Sequence, residues 1–184
     1  MTAPDRADPD RAQWVREALA THERGLVSYA ARVIGDVERA RDAVQETFLE
    51  LCGQDPAQLD GHLREWLFTV CRNKALDMRR KESRMKNVAS PVAVGEAHAQ
   101  VSEEPEPGAT LEQEEMLSKV LNSMKALPDS QQEVLLLKFR HGLAYREISR
   151  VTGHTISNVG YLIHMGVKAL RAKHAEDLQE GCAS

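Results

Sequence analysis

The sequence predicts an all-α fold of two small helical domains joined by a flexible acidic linker. Three observations carry this prediction. Apolar residues recur at helical spacing along both halves of the chain, with no strand-like alternation and no internal repeat. Between Val88 and Ser118 there is no Lys or Arg, while Glu96, Glu103, Glu104, Glu106, Glu112, Glu114 and Glu115 all fall there. Pro91, Gly95, Pro105, Pro107 and Gly108 break any helix in that stretch. Finally, 184 residues with 42% hydrophobic content suffice for two packed cores.

The first ten residues read as a disordered tail, and a domain follows over 11–83. Within it a helix from about Asp36 to Cys52 places Val37, Ala40, Val44, Thr47, Phe48 and Leu51 on one face, a core face by spacing. On the other side Asp42, Gln45 and Glu46 stand at i, i+3 and i+4 and project together. That patch is either a solvated acidic face or the contact for a basic partner. A Gly/Pro/Asp-rich loop, GQDPAQLDG from Gly53 to Gly61, comes next.

The following helix, His62 to about Glu82, has Leu63, Trp66, Leu67, Val70 and Cys71 as its inner stripe. Its second half turns basic through Arg72, Lys74, Arg79 and Arg80, then Lys81, Arg84 and Lys86, against only Asp77 and Glu82. Cations favour a helix C-terminus, but this density suits a polyanion lying along the helix, with Asn73 able to reach a base edge. Trp66 and Phe68 are candidate stacking platforms for an unpaired strand, Trp66 being the one expected in the core.

The linker spans about 84–110, flexible and self-repelling, with prolines and glycines that break any helix in it. A second domain covers 111–175 and a short tail 176–184. In that domain Leu143, Ile148 and Val151 mark one helix, Gly153 ends it, and Thr155 or Ser157 caps the next. Ile156, Val159, Leu162 or Ile163, Val167 and Leu170 form the second helix's inward stripe. Ser157, Asn158, Gly160, Tyr161, His164, Met165 and Lys168 are left facing outward. Two helices so joined match a helix-turn-helix. From Lys119 to His174 nine Lys and Arg oppose three acids, 9 − 3 = +6, although the whole chain carries −4. Such a local excess is the electrostatic footprint of phosphate binding.

Other classes find little support. No apolar run approaches the ~20 residues that span a bilayer, and MTAPDRADPDRAQ lacks the apolar core of a signal peptide; a cytoplasmic protein with no membrane insertion is expected. Cys52, Cys71 and Cys182 are an odd number at wide spacing, so neither a disulfide framework nor a zinc cage is indicated, and Cys52 and Cys71 read as buried thiols. There is no HExxH, P-loop, GxSxG or paired acid/base constellation, so no metal, no cofactor and no enzyme is expected.

DAVQETFLEL (Asp42 to Leu51) followed by REWLFTVCRNKALDMRRKE (Arg64 to Glu82) resembles region 2 of bacterial sigma factors of the extracytoplasmic-function (ECF) type, in the sigma-70 family. LPDSQQEVLLLKFRHGLAYREIS (Leu127 to Ser149) and the helix after it resemble region 4. The resemblance implies that Asp42, Gln45 and Glu46 dock on the clamp helices of the RNA polymerase β′ subunit. It implies that Gln58, Leu59 and Asp60, in the loop, capture a flipped base of the −10 element, and that Arg72, Asn73, Lys74, Arg79 and Arg80 lie beside the duplex and the melted strand. Ser157, Asn158, Gly160, Tyr161, His164, Lys168 and Arg171 would address the −35 element, and the apolar first half of region 4 the β flap. An anti-sigma factor covering both domains is a further implied partner, and phosphorylation of Thr47 or Ser83, hydroxyls beside these surfaces, is a second form of control the sequence allows.

One departure stands out: Gly160, Leu162, Met165 and Val167 occupy recognition-helix positions where cations are common in the family, which implies altered −35 recognition. The alternative is a helix-turn-helix regulator that binds duplex DNA as a dimer without core polymerase, which leaves the acidic patch and the basic helix of the first domain without a role.

Overall fold

The computed structural model describes residues 9–89 and 122–181, with side chains over 10–84 and 122–175. Residues 1–8 of the tail expected over 1–10, residues 90–110 of the linker expected over 84–110, the start of the second domain over 111–121, and residues 182–184 of the tail expected over 176–184, Cys182 among them, lie outside the described residues, while 9–10, 84–89 and 176–181 are helical. The chain divides into two units within the acidic stretch, after Val101. Both are helical, with no strand among the described residues.

The first unit opens with α1 (Pro9–Ile34), a helix for which no separate element was expected. Pro9 stands at its start, where a missing N–H costs nothing. Leu26, Tyr29, Ala30, Ala31 and Ile34 are its buried residues near the C-terminal end, and Gly35 stops it at φ 84 with its N–H on the Ala31 carbonyl, 2.7 Å. Asp36 caps α2 (Val37–Cys52), its carboxylate accepting from Glu38 N at 2.9 Å and Arg39 N at 3.2 Å. The short α3 (Pro56–Leu59) is capped by Asp55, and α4 (Leu63–Ala89) closes the unit. α4 runs past the boundary expected at Ser83, because no glycine or proline interrupts the chain before Pro91.

The core of this unit is where α1, α2 and α4 meet. Ala40, Ala43, Val44, Thr47, Phe48 and Leu51 of α2 face Leu67, Phe68, Cys71 and Ala75 of α4. Tyr29 and Phe68 pack edge to face with centroids 5.4 Å apart, a geometry that adds about 0.5–1.5 kcal/mol beyond area burial. Phe68, at 2% exposure, is thus the core aromatic, and Trp66 is half-buried, the reverse of the sequence expectation. Cys71 is buried and its thiol is pushed up to about 12, burial outweighing the Thr47 hydrogen bond and the nearby Lys74 charge. Cys52, expected to be buried as well, is exposed at the last turn of α2. Thr47 is fully buried with its hydroxyl on the Ala43 carbonyl, 2.8 Å, and so is closed to modification in the fold. The guanidinium of Arg39 bonds the Glu82 carboxylate and, at 3.0 Å, the Met78 carbonyl, tying the start of α2 to the far end of α4.

The second unit contains α5 (Asp129–Leu135), a π-helical turn (Leu136–Arg140), α6 (Tyr145–Thr152) and α7 (Ile156–Gly181). The π turn closes with His141 N on the Leu136 carbonyl at 3.1 Å, a widened ladder typical of functional segments. Val134, Leu135, Leu137, Leu143, Ile148, Val151, Val159, Leu162 and Ile163 make the core. The buried Gln132 amide satisfies the Leu127 carbonyl at 2.7 Å. Gly153 ends α6 in the left-handed region at φ 77, and Thr155 caps α7, its hydroxyl accepting from Asn158 N at 3.2 Å. Of the two expected caps the structure uses Thr155; Ser157 is an exposed first-turn residue.

Candidate nucleic-acid and partner interfaces

The α2 surface opposite the core is a stripe rather than a patch. Asp42, Gln45 and Glu46 are exposed, and Leu49, at i+7 from Asp42, continues the row at 72% exposure. Sequence reading passes over Leu49 because it sits between Phe48 and Leu51, both core residues. Lys74 of α4 borders the stripe, its Nζ 3.1 Å from Glu50 and 3.6 Å from Glu46. Its side chain is 23% exposed and engaged with α2, unlike the exposed Arg79, Arg80, Lys81 and Arg84 further along α4. The two carboxylates are about half exposed, 54% for Glu46 and 47% for Glu50, so Glu46 keeps an open flank.

The loop between α2 and α4 is held at three points. Asp55 caps α3 at Ala57 N, 3.0 Å. Arg11 Nη2 donates to the Gln54 carbonyl at 2.7 Å. Leu59 is the third, at 5% exposure, so its side chain is turned into the fold and anchors the loop. Gln58 and Asp60 on either side are exposed, and Gly61 turns the chain at φ 73. An open cleft of ≈ 520 Å³ beside the first half of the loop is lined by Asp10, Arg11, Trp14, Gly53, Asp55 and Pro56. Neither Gln58 nor Asp60 lines it.

The basic half of α4 does not form one face. At about 100° per residue, Arg72 and Arg79 share one flank, Asn73, Arg80 and Arg84 point away from the core, and Lys74 and Lys81 share the flank toward α2. Asn73, Arg79, Arg80, Lys81 and Arg84 are exposed. Arg80 pairs with Asp77 at 3.2 Å one turn earlier. Arg72 is half-buried and engaged.

On α7 the same arithmetic gives a continuous outward stripe of Ser157, Tyr161, His164, Lys168 and Arg171, all exposed, Tyr161 at 59%. Asn158 and Met165 lie on one flank, half-buried. Gly160 lies on the other flank beneath the Tyr145 ring: a Cβ there would stand 3.7 Å from Tyr145 Cε2, so this position faces α6 and not open solvent. Ile156, assigned to the inner stripe, is 47% exposed at the helix start. Tyr145 also covers Lys138, whose Nζ is 5.3 Å from the ring centroid. Gly166, which the sequence reading does not single out, is buried where α7 crosses α5, with Leu135 Cδ1 only 2.8 Å from where a Cβ would be.

Residues 19–85 match sigma-70 region 2, and residues 117–170 match sigma-70, region 4. The ECF RNA polymerase sigma factor SigL of Mycobacterium tuberculosis is 31% identical over 165 residues, 87% of this chain and 88% of the relative. The chain is an ECF-type sigma factor of the sigma-70 family. The ECF sigma factor SigE of Mycolicibacterium smegmatis is 27% identical over 164 residues, 88% of this chain, and the chain spans 63% of that relative's length. The sigma factor RpoE of Bartonella quintana, solved in complex with the anti-sigma factor NepR, shares the fold: the TM-score is 0.68 at 20% identity, covering 85% of this chain and 94% of that one. Both halves of this sigma factor therefore belong to one family in the order the motifs suggest.

Proposed function

We propose that the chain is an alternative sigma factor that binds core RNA polymerase, recognises −10 and −35 promoter elements and initiates transcription, as a recognition subunit and not as an enzyme. The observation that carries this reading is the exposed α2 row Asp42, Gln45, Glu46 and Leu49, which a DNA-binding protein acting alone has no use for. Here that row docks on the β′ clamp, three polar groups setting register and Leu49 filling an apolar socket. Lys74 holds α2 against α4 beneath it.

Gln58 and Asp60, positioned by the buried Leu59, face the −10 element, and Asn73, Arg79, Arg80 and Arg72 accompany the duplex and the opened strand. Extruding a base costs a few kcal/mol, and the cations of α4 offset that cost through phosphate contacts. In the second unit Ser157, Tyr161 and His164 meet −35 base edges, with Asn158 and Gly160 flanking them, while Lys168 and Arg171 meet phosphates. Phe139, 67% exposed on the π turn, is the apolar contact for the β flap. An anti-sigma factor restrains the protein, as one is bound to the related RpoE. The working compartment is the cytoplasm, where polymerase acts; no helix among the described residues is long and apolar enough to cross a membrane.

Run-off transcription with purified core polymerase on genomic fragments tests the reading. Discrete transcripts are expected only when chain and core are both present. A chain that binds duplex fragments tightly yet neither co-purifies with core nor supports run-off is the autonomous regulator instead.

A further inference from the structure

The outward stripe of α7 changes chemistry part-way along. From Gly153 to Val167 the chain contains no Lys, Arg, Asp or Glu, and the first cation is Lys168, followed by Arg171 and Lys173. In a helix-turn-helix the first turns of the second helix meet base edges, and phosphate contacts only position it. The base-proximal part of this stripe is therefore Ser157, Tyr161 and His164, and its one large apolar surface is the Tyr161 ring, 59% exposed between buried neighbours Val159, Leu162 and Ile163. Guanine is ordinarily read by Arg or Lys bidentate to O6 and N7, and no such side chain is available here. Adenine is read by Asn or Gln, and Asn158 is half-buried on the flank. Thymine alone offers the major groove an apolar group, its C5 methyl.

Resting on the reading of α7 as the −35 helix, we propose that Tyr161 is a specificity-determining residue that recognises a thymine through its C5 methyl group. This sigma factor then selects an A·T pair at that position. The ring makes the contact, and the phenolic hydroxyl is left to water or to a neighbouring phosphate.

Holoenzyme reconstituted with the full chain is used to select duplexes from a promoter library randomised over the −35 element. Affinity is then measured on the selected duplex and on copies in which each thymine in turn is replaced by deoxyuridine, which removes the methyl group and nothing else. At one position the replacement should weaken binding about fourfold, the worth of one buried methyl. Tyr161→Ala should abolish the distinction at that position and Tyr161→Phe should keep it. Selected elements without thymine, or tolerance of deoxyuridine at every position, overturn the proposal and leave −35 recognition by α7 standing. Discrimination that survives Tyr161→Ala assigns the methyl to another side chain and also overturns it. Failure to enrich any −35 sequence removes both the proposal and the reading beneath it.

Discussion

Two glycines six residues apart in α7 should respond to alanine in opposite directions, and the difference measures how tightly the recognition helix is seated. At Gly160 a Cβ meets only Tyr145 Cε2, at 3.7 Å, an ordinary contact. Gly160→Ala therefore keeps the packing and removes a helix-interior glycine, worth about 0.5–1 kcal/mol of added stability. At Gly166 the new methyl stands 2.8 Å from Leu135 Cδ1, 3.3 Å from Leu135 Cγ and 3.6 Å from Gln131 Cβ. Turning the Leu135 tip away does not clear Cγ, and Leu135 is itself 3% exposed with no room to retreat. Overpacking of this kind costs roughly 1–3 kcal/mol, against the same propensity gain of about 1 kcal/mol, so Gly166→Ala should be destabilising by about 0–2 kcal/mol. The two variants should thus differ by roughly 1–3 kcal/mol, or about 4–8 °C in melting temperature per kcal/mol for a unit of this size. Thermal unfolding of the full chain followed by circular dichroism reads the difference, and trimming Leu135 to alanine in the Gly166→Ala background should cost less than the sum of the single changes. Equal stabilisation by both alanines would refute the close approach of α7 to α5.

Three further outcomes follow from the first unit. Asp42→Arg with Leu49→Asp should lower core-polymerase affinity by more than about tenfold, as loss of a hot-spot anchor does, with an unchanged circular dichroism spectrum because both side chains are exposed; wild-type retention in a core pull-down would misplace the docking stripe. Arg79→Ala and Arg80→Ala should each reduce the salt slope of promoter binding by about 0.7–0.9 per lost phosphate contact, whereas Lys74→Ala, engaged with Glu46 and Glu50, should leave the slope unchanged; equal slopes for all three would confine these cations to helix-terminus stabilisation. His22 is held below its ordinary pKa of 6.5, first by burial and then by the Arg64 charge. The unfolded chain therefore binds more protons than the fold just below pH 6.5, so stability is lost as pH falls through that value, and His22→Gln should flatten the fall in melting temperature between pH 7 and 5.5.

The helical class, the two units and the helix-turn-helix corner were legible because each rests on a local signal: apolar spacing on α2 and α4, the Gly153 stop, the Thr155 cap. Whatever depended on which of several apolar neighbours faces inward was not. Phe68 and Trp66 exchange roles because α1, whose Tyr29 receives Phe68, went unread as an element. Its apolar row is interrupted by Thr21, His22, Glu23 and Arg24, and it has Gly25 in its interior, so its period is weak. Leu49 and Leu59 show the same limit in opposite senses, an apolar residue left outside and a loop residue taken in. Lys74 and the other α4 cations look alike as a run of charge, and only the neighbouring helix separates them. Gly166 carries no outward mark of its role, since a close crossing is a property of two helices and not of one.

The charge distribution on the second unit also decides between a subunit and a stand-alone regulator. Arg146, Arg150, Lys168, Arg171 and Lys173 are the cations of α6 and α7, and all but Lys173, which is half-buried, are exposed. If every one met a phosphate, the slope of log affinity against log salt would reach only about −4.5, and the uncharged first turns of α7 add nothing to it. Base contacts of the Tyr161 kind discriminate between sequences but bring little affinity. Such a unit binds its site usefully when another contact already holds it near the DNA, because tethering turns the second binding event into an intramolecular one. Under the proposed function, core polymerase held through the α2 stripe supplies that tether. The free chain should therefore bind a −35 duplex weakly, with a salt slope near −4.5 where only α6 and α7 touch it, while holoenzyme on the same promoter binds far more tightly and with a steeper slope, since α4 and the polymerase add their own phosphate contacts. Fluorescence anisotropy over a salt series with and without core measures both. A free chain that matches the holoenzyme in affinity and slope would show that the second unit needs no tether, and the acidic stripe of α2 would then require a different partner.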